Sequence, residues 1–355
     1  MKKLIVVLSI IVLNLMFMGC SDNKEVILKN NVKLIHNETE QKVDVLVDGV
    51  LFTSYLYTDK IPDLKKTVLF PIVANNGAII TRGFPIQTRA NERTDHPHHI
   101  GAWLNYGDVN ELDYWGNSNA IPKERHNEMG VIRHDEIVDV KSGNEKGELV
   151  TTANWLKPDG EILLNEKTDF IFHAKDGLRI IDRITTLTAK EEPVLFKDTK
   201  EGMLAIRVAR QLEHPSEKPV TLSDAHGDKT DVPVLDNSGV TGHYLSSEGI
   251  EGMDVWGKRA KWVSLSGTIE NKDVSVVIFD NPENVGYPTY WHARGYGLFA
   301  ANPLGQNTFS VGKETLNYSL KAGESVTLKY RFLILDGKAD KKKIESEYQN
   351  YISNK

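Results

Sequence analysis

The sequence predicts a mostly-β fold: a large antiparallel β-sandwich with a short C-terminal helix. Three observations carry this. Short apolar runs recur with tight turn signals between them, Asp-Gly pairs join several of those runs, and long helical periodicity is missing until the end of the chain. A parallel α/β design would alternate strands with amphipathic helices, and this chain does not. Two antiparallel sheets packed face to face bury one core between them.

The elements follow in order. Residues 43–47 run into Asp48-Gly49 and then Val50-Leu51-Phe52, the pattern of a two-residue hairpin. Residues 155–164 fold back around Pro158-Asp159-Gly160, and residues 169–173 and 178–187 flank Lys175-Asp176-Gly177. Residues 274–279 form an apolar run suited to a buried strand. Val326, Leu328, Tyr330 and Phe332 alternate with Thr327, Lys329 and Arg331, one face in and one face out. Within residues 339–352, Ile344, Tyr348 and Tyr351 recur at helical spacing. No repeat, low-complexity tract or linker interrupts the chain, so residues 31–355 are expected to form one β-sandwich domain.

Composition narrows the function classes. The 355 residues carry a net charge of −6, which speaks against a basic nucleic-acid-binding face. With 40% hydrophobic and 26% charged residues, the chain matches globular proteins rather than disordered or multi-spanning ones. The single cysteine, Cys20, excludes an intrachain disulfide and a Cys-based zinc site. Its place is informative. Lys2 and Lys3 precede an apolar run over residues 4–17, and Gly19 stands directly before Cys20. That order is the order of a bacterial lipoprotein signal: residues 1–19 removed, lipid on the Cys20 sulfur, residues 20–30 a tether. A plain signal peptide or signal anchor is the alternative. The expected location is a membrane, through lipidated Cys20, with the folded body facing the periplasm or cell surface.

Three segments concentrate varied polar groups beside aromatics. The first spans 81–115 and holds Arg82, Asp95-His96-Pro97-His98-His99, Trp103, Asp113 and Trp115. The second is Asp198-Thr199-Lys200-Glu201-Gly202, followed by Arg207. The third runs through Tyr290-Trp291-His292-Ala293-Arg294 to Asn302. Such groups are costly to bury unpaired, so their density points to a pocket or a satisfied network. If the segment is extended, His96 and His98 share one side and His99 points away. Imidazoles titrate near neutral pH and suit acid/base work, with His98 or Glu201 as base and His292 as acid. Arg207 or Arg294 would hold developing negative charge. His96, His99, Asn302 and the faces of Trp103, Trp115 and Trp291 would contact a sugar, whose rim is hydroxylated and whose C–H faces are apolar. Two other readings remain open. The histidines can ligate a metal with Glu201, His292 or Asp95 as a third donor, or they can form a structural network, with Lys200 and Glu201 a surface ion pair.

The same segments carry a family likeness. Asp95-His96-Pro97-His98-His99-Ile100-Gly101-Ala102-Trp103, Asp198-Thr199-Lys200-Glu201-Gly202, Tyr290-Trp291-His292-Ala293-Arg294, Tyr296-Gly297-Leu298-Phe299-Ala300-Ala301-Asn302-Pro303 and Lys321-Ala322-Gly323-Glu324 resemble the bacterial PmoA-like family. Ile100 and Ala322 stand where that family often has Arg and Pro. The family label implies a subunit of a membrane copper enzyme, yet nothing after residue 19 is long and apolar enough to span a bilayer. The Gly323-Glu324 turn before a closing strand resembles the end of the galactose-mutarotase-like supersandwich. That likeness implies a concave sheet face where His, Glu and Arg meet a sugar. The mutarotase His and Glu motifs have no residue-by-residue match, so that activity is not carried over.

The expectation is therefore an exported lipoprotein using His/Glu acid–base chemistry on a sugar or oligosaccharide as lyase, epimerase or hydrolase, with no cofactor. A non-catalytic glycan-binding lipoprotein and a His-ligated metal enzyme are the alternatives. Replacing Cys20 with Ser should move the protein from the membrane to the soluble fraction, or leave the signal uncut, as read by fractionation and fatty-acid labelling. A processed, lipidated Cys20→Ser protein would contradict the lipoprotein reading.

Overall fold

Asp48 and Gly49 both adopt positive φ, 51° and 80°, as a two-residue hairpin turn requires. They join the antiparallel strands Lys42–Val47 and Val50–Leu56. The structure is a computed structural model describing residues 30–353 apart from Asp176, Ala225, His226 and Ala339. The expected signal (1–19), Cys20 and the tether up to residue 29 lie outside the described residues. Among the described residues, no helix is long and apolar enough to cross a membrane.

Two large antiparallel sheets face one another. The nine-stranded sheet runs in space from Tyr290–Ala293 through Leu298–Asn302, Gly202–Arg207, Ala102–Tyr106, Val68–Ile72, Val50–Leu56, Lys42–Val47 and Asn31–Asn37 to Gly143–Asn144. The eight-stranded sheet holds His243–Ser246, Trp262–Ile269, Lys272–Asp280, Ser325–Asp336, Leu178–Ala189, Ile162–Lys175, Lys146–Leu156 and Val131–Lys141. The turn anticipated at 158–160 joins neighbouring strands of this second sheet; the strands flanking the one anticipated at 175–177 also pair, while Asp176 itself lies outside the described residues.

Alternation places the core. Val45, Phe52, Leu104, Ile206 and Phe299 of the first sheet meet Phe170, Phe172, Ile181, Leu265, Ile278 and Phe332 of the second in one continuous buried cluster. Phe52 and Phe172 meet edge to face across the gap, their centroids 6.3 Å apart. The outer face of the eight-stranded sheet is covered by the helix Lys341–Ser353, whose Ile344, Tyr348 and Tyr351 pack on Trp262, Val277, Phe279, Leu333 and Leu335. That is the helix foreseen from the terminal apolar stripe.

The outer face of the nine-stranded sheet is different. Trp103, Ala205, Leu298 and Ala300 lie there in a small buried cluster with Phe70, Ile100 and Trp115. Across four adjacent strands, Trp103 pairs with Ala205, Ala205 with Ala300, and Ala300 with His292. Two alanines between a tryptophan and a histidine leave the middle of the row low. A depression on this face is the geometric consequence.

Candidate functional site

Over that row lies the segment containing Asp95-His96-Pro97-His98-His99. It is a turn rather than an extended strand, which corrects the expectation that His99 points away from His96 and His98. The His99 amide donates to the His96 carbonyl at 2.9 Å, with Pro97 where its fixed φ favours a turn. His96 itself sits at φ 46°, a conformation that non-glycine residues hold only when their surroundings impose it. The turn gathers all three imidazoles. His96 stacks on His99 with centroids 4.8 Å apart, His98 meets His99 edge-on at 4.4 Å, and His99 stacks over Trp103 at 5.4 Å.

Buried cations impose this shape. The Arg82 guanidinium, 1% exposed, donates to the carbonyls of Arg93 (3.2 Å), Asp95 (2.7 Å), His96 (2.9 Å) and His99 (3.0 Å), and to Asp95 Oδ1 (2.9 Å). Arg207, fully buried on the strand Gly202–Arg207, donates to Asp95 Oδ1 at 2.6 Å and to His99 Nδ1 at 3.1 Å. Burial alone would raise the Asp95 pKa, but Arg207, His96 and Arg82 together hold it well below the usual carboxylate range. Lys66, also buried, donates to the His98 carbonyl at 2.6 Å and lies over the Trp103 ring. Burial lowers its pKa to about 7.

These bonds settle tautomers. Arginine can only donate, so His99 Nδ1 is an acceptor and the proton sits on Nε2. Nε2 is buried and has no partner. On the facing strand Tyr290–Ala293, His292 Nδ1 lies 2.9 Å from the Lys200 carbonyl, which can only accept. His292 therefore carries its proton on Nδ1 and presents Nε2 as a lone pair. Burial lowers its pKa to about 4, Lys200 and Arg294 adding to the effect and Glu201 opposing it. Burial and then Lys66 lower His98 to about 2. Burial, with His98 and Arg207, holds His99 well below its usual value. An imidazole in this state accepts rather than donates through Nε2, whereas the sequence points to His292 as the acid.

A cavity of about 450 Å³ joins these groups: His96, His98, His99, Asp113, Trp115, Lys200, Glu201, His292, Arg294 and Tyr296 line it. Glu201 is paired with Lys200, and its Oε2 lies 3.9 Å from His292 Nδ1. Asp113 accepts the Trp115 and Gly116 amides on Oδ1, both at 2.8 Å. A Cβ at Gly116 would come within 2.6 Å of Asp113 Oδ2, so glycine there makes room for the carboxylate. Burial, with Glu201 adding to it, raises the Asp113 pKa. Arg294 and Tyr296 share a tight turn closed by the Gly297 amide on the Arg294 carbonyl, with Gly297 at φ 87°. Trp115 reaches the cavity as expected.

Four expected site residues do not reach it. Trp291 lies in the core between the sheets, its Nε1 donating to the Ala260 carbonyl, because its strand alternates and His292 takes the outer face. Trp103 is fully buried beneath His99 and supports the ring. Asn302 is buried, its side chain fixing Thr199, Leu304 and Gly305, so it shapes the loop leading to Lys200 and Glu201. Arg207 stands behind the wall and positions His99. Sequence reasoning did not select Asp113, Tyr296 or Lys66. The first two stand inside the polar segments that it marked, whereas nothing around Lys66 distinguishes it from a surface lysine. Among the described residues, no group of three His, Cys, Asp or Glu side chains is placed to hold a metal ion.

The buried imidazoles make stability pH-dependent. In the unfolded chain they titrate near their usual value of about 6.5, while in the fold they stay neutral to lower pH. Between those limits the unfolded state binds more protons, so stability should fall as pH drops from about 7 toward 4. His99→Gln should flatten that fall, measured as urea midpoints at pH 7 and pH 5. An unchanged slope in the variant would contradict the buried neutral imidazole.

No curated protein matches the chain. Among solved structures, the galactosidase domain of an alpha-galactosidase-sucrose kinase is 9% identical at a TM-score of 0.40, covering 86% of this chain and 42% of that one. The chain thus spans less than half the length of that enzyme. A galactose mutarotase-like protein from Clostridium acetobutylicum is 12% identical at 0.40, over 86% of this chain and 98% of that one. Galactose 1-epimerase from Lactobacillus acidophilus is 8% identical at 0.33, over 88% of this chain and 100% of that one. At such distances no chemistry is carried across. A family model matches residues 42–349, most of the chain, and the protein belongs to that family, described as a family of unknown function, DUF6807.

Proposed function

We propose that this protein is a carbohydrate-active enzyme that moves a proton on a sugar or oligosaccharide bound in the cavity over the nine-stranded sheet. The observation that carries the reading is the pair of neutral imidazoles with opposite tautomers in the wall of one cavity, His292 offering a lone pair and His99 held with its proton on a buried Nε2. A passive glycan site needs hydrogen bonds but not two imidazoles kept neutral by burial. Around them, the His98 ring nitrogens, the Arg294 guanidinium and the Tyr296 hydroxyl make no hydrogen bond to any described residue, so they stand open to a polyhydroxylated ligand. The volume suits a molecule of sugar size.

In this reading His292 Nε2 removes a proton from a carbon beside a carbonyl or carboxylate, and the electron pair moves onto the adjacent oxygen. Arg294, which lines the cavity, stabilises that oxyanion. A proton delivered from solvent to the opposite face gives an epimer, His292 passing its own proton to solvent, while loss of an oxygen substituent on the next carbon, which takes the proton held by His292, gives a lyase product. The resemblance to the PmoA-like family and anchoring through lipidated Cys20 belong to the same proposal.

The test is solvent deuterium incorporation into sugars, followed by NMR over a panel of uronates, ketosugars and oligosaccharides. His292→Ala should slow exchange by about a hundredfold or more while affinity changes only a few-fold. Full activity in both His292→Ala and His99→Gln would contradict the assignment. Binding without exchange in the wild type, weakened equally by both changes, would favour a glycan-binding protein.

A further inference from the structure

Among the described residues, Arg294 is the cation lining the cavity that no carboxylate or carbonyl engages through its side chain. Arg82 and Arg207 are committed to Asp95 and to the backbone of the histidine turn, Lys66 to the His98 carbonyl, and Lys200 to Glu201. Arg294 has no ion pair and no side-chain hydrogen bond with any described residue. It is held in place all the same. Its guanidinium carbon lies 5.9 Å from the Trp256 ring centroid and 5.6 Å from that of Tyr296, and the turn through Gly297 fixes its backbone. A planar fork of five donors, oriented by two aromatic rings and facing a cavity whose two carboxylates are engaged elsewhere, Glu201 by Lys200 and Asp113 by the Trp115 and Gly116 amides, is complementary to a carboxylate.

We infer that the substrate carries its own anion: the site takes a sugar acid, a uronate unit whose carboxylate docks on Arg294. The inference rests on the proposed sugar chemistry and names its substrate class. Two consequences fit that chemistry. A carboxylate acidifies the neighbouring C–H, so the group that Arg294 binds is the group that makes the proton removable. It also neutralises Arg294, one of the charges that hold His292 at low basicity, so docking strengthens the base in the complex.

The experiment compares matched probes on the full folded protein by calorimetry: glucuronate and galacturonate, as mono- and disaccharides, against glucose and galactose counterparts. The uronates should bind at least about tenfold tighter than their neutral partners, with the preference weakening as salt is raised. Arg294→Gln should abolish the preference, so that uronates bind no tighter than their neutral partners, and Arg294→Lys should restore little of it, because a point charge does not reproduce the fork. Circular dichroism verifies that both variants fold. Equal binding of neutral and acidic partners, or a preference that survives Arg294→Gln, overturns the sugar-acid inference and leaves the proposed sugar site standing. Failure of every sugar to bind overturns both.

Discussion

The site depends on one carboxylate shared by two buried guanidinium groups. Asp95 Oδ1 receives Arg82 from one side and Arg207 from the other, and through them the histidine turn is fastened to the sheet. Two arginines buried this deeply repel one another, and Asp95 is the carboxylate that bonds to both, with Glu92 and Glu213 near Arg82 and Glu213 near Arg207. Removing Asp95, itself partly exposed, would leave two buried guanidinium groups without the carboxylate they share. With Asp95 in place, Arg82 has donors left to organise four backbone carbonyls, and Arg207 has one left to set the tautomer of His99.

From that fastening the chemistry follows in short steps. Arg207 fixes His99 with its proton on Nε2, the Lys200 carbonyl fixes His292 with its proton on Nδ1, and the two strands bearing Arg207 and His292 belong to one sheet. The row from Trp103 to His292 carries Ala205 and Ala300, small side chains buried beneath the groups that line the cavity. Donor and acceptor are thus placed by backbone geometry on a rigid sheet. That is the preorganisation acid–base chemistry needs.

Much of the fold was legible because strand alternation and Asp-Gly turns are local signals. The hairpin at Asp48-Gly49, the closing strand Ser325–Asp336 and the helix bearing Ile344, Tyr348 and Tyr351 all follow from nearest-neighbour chemistry. The site was legible as a set of segments: His96, His98, His99, Glu201, His292 and Arg294 do line one cavity. Side-chain direction was harder. The positive φ of His96 and the Arg82 bonds turn the histidine segment, and neither is visible to an extended-strand argument. Trp291 went to the core because strand register, which the sequence specifies only through its partners, gave the outer face to His292. Lys66 was illegible, since its role arises from burial beside residues more than thirty positions away.

The central claim is that the cavity holds two neutral imidazoles of opposite tautomer, and nitrogen-15 NMR of histidine-labelled protein measures this directly. Long-range proton–nitrogen correlations at pH 6, assigned through His99→Gln and His292→Ala, should show His99 protonated on Nε2 alone and His292 on Nδ1 alone. An imidazolium at either position at pH 6, or the same tautomer at both, would contradict the account.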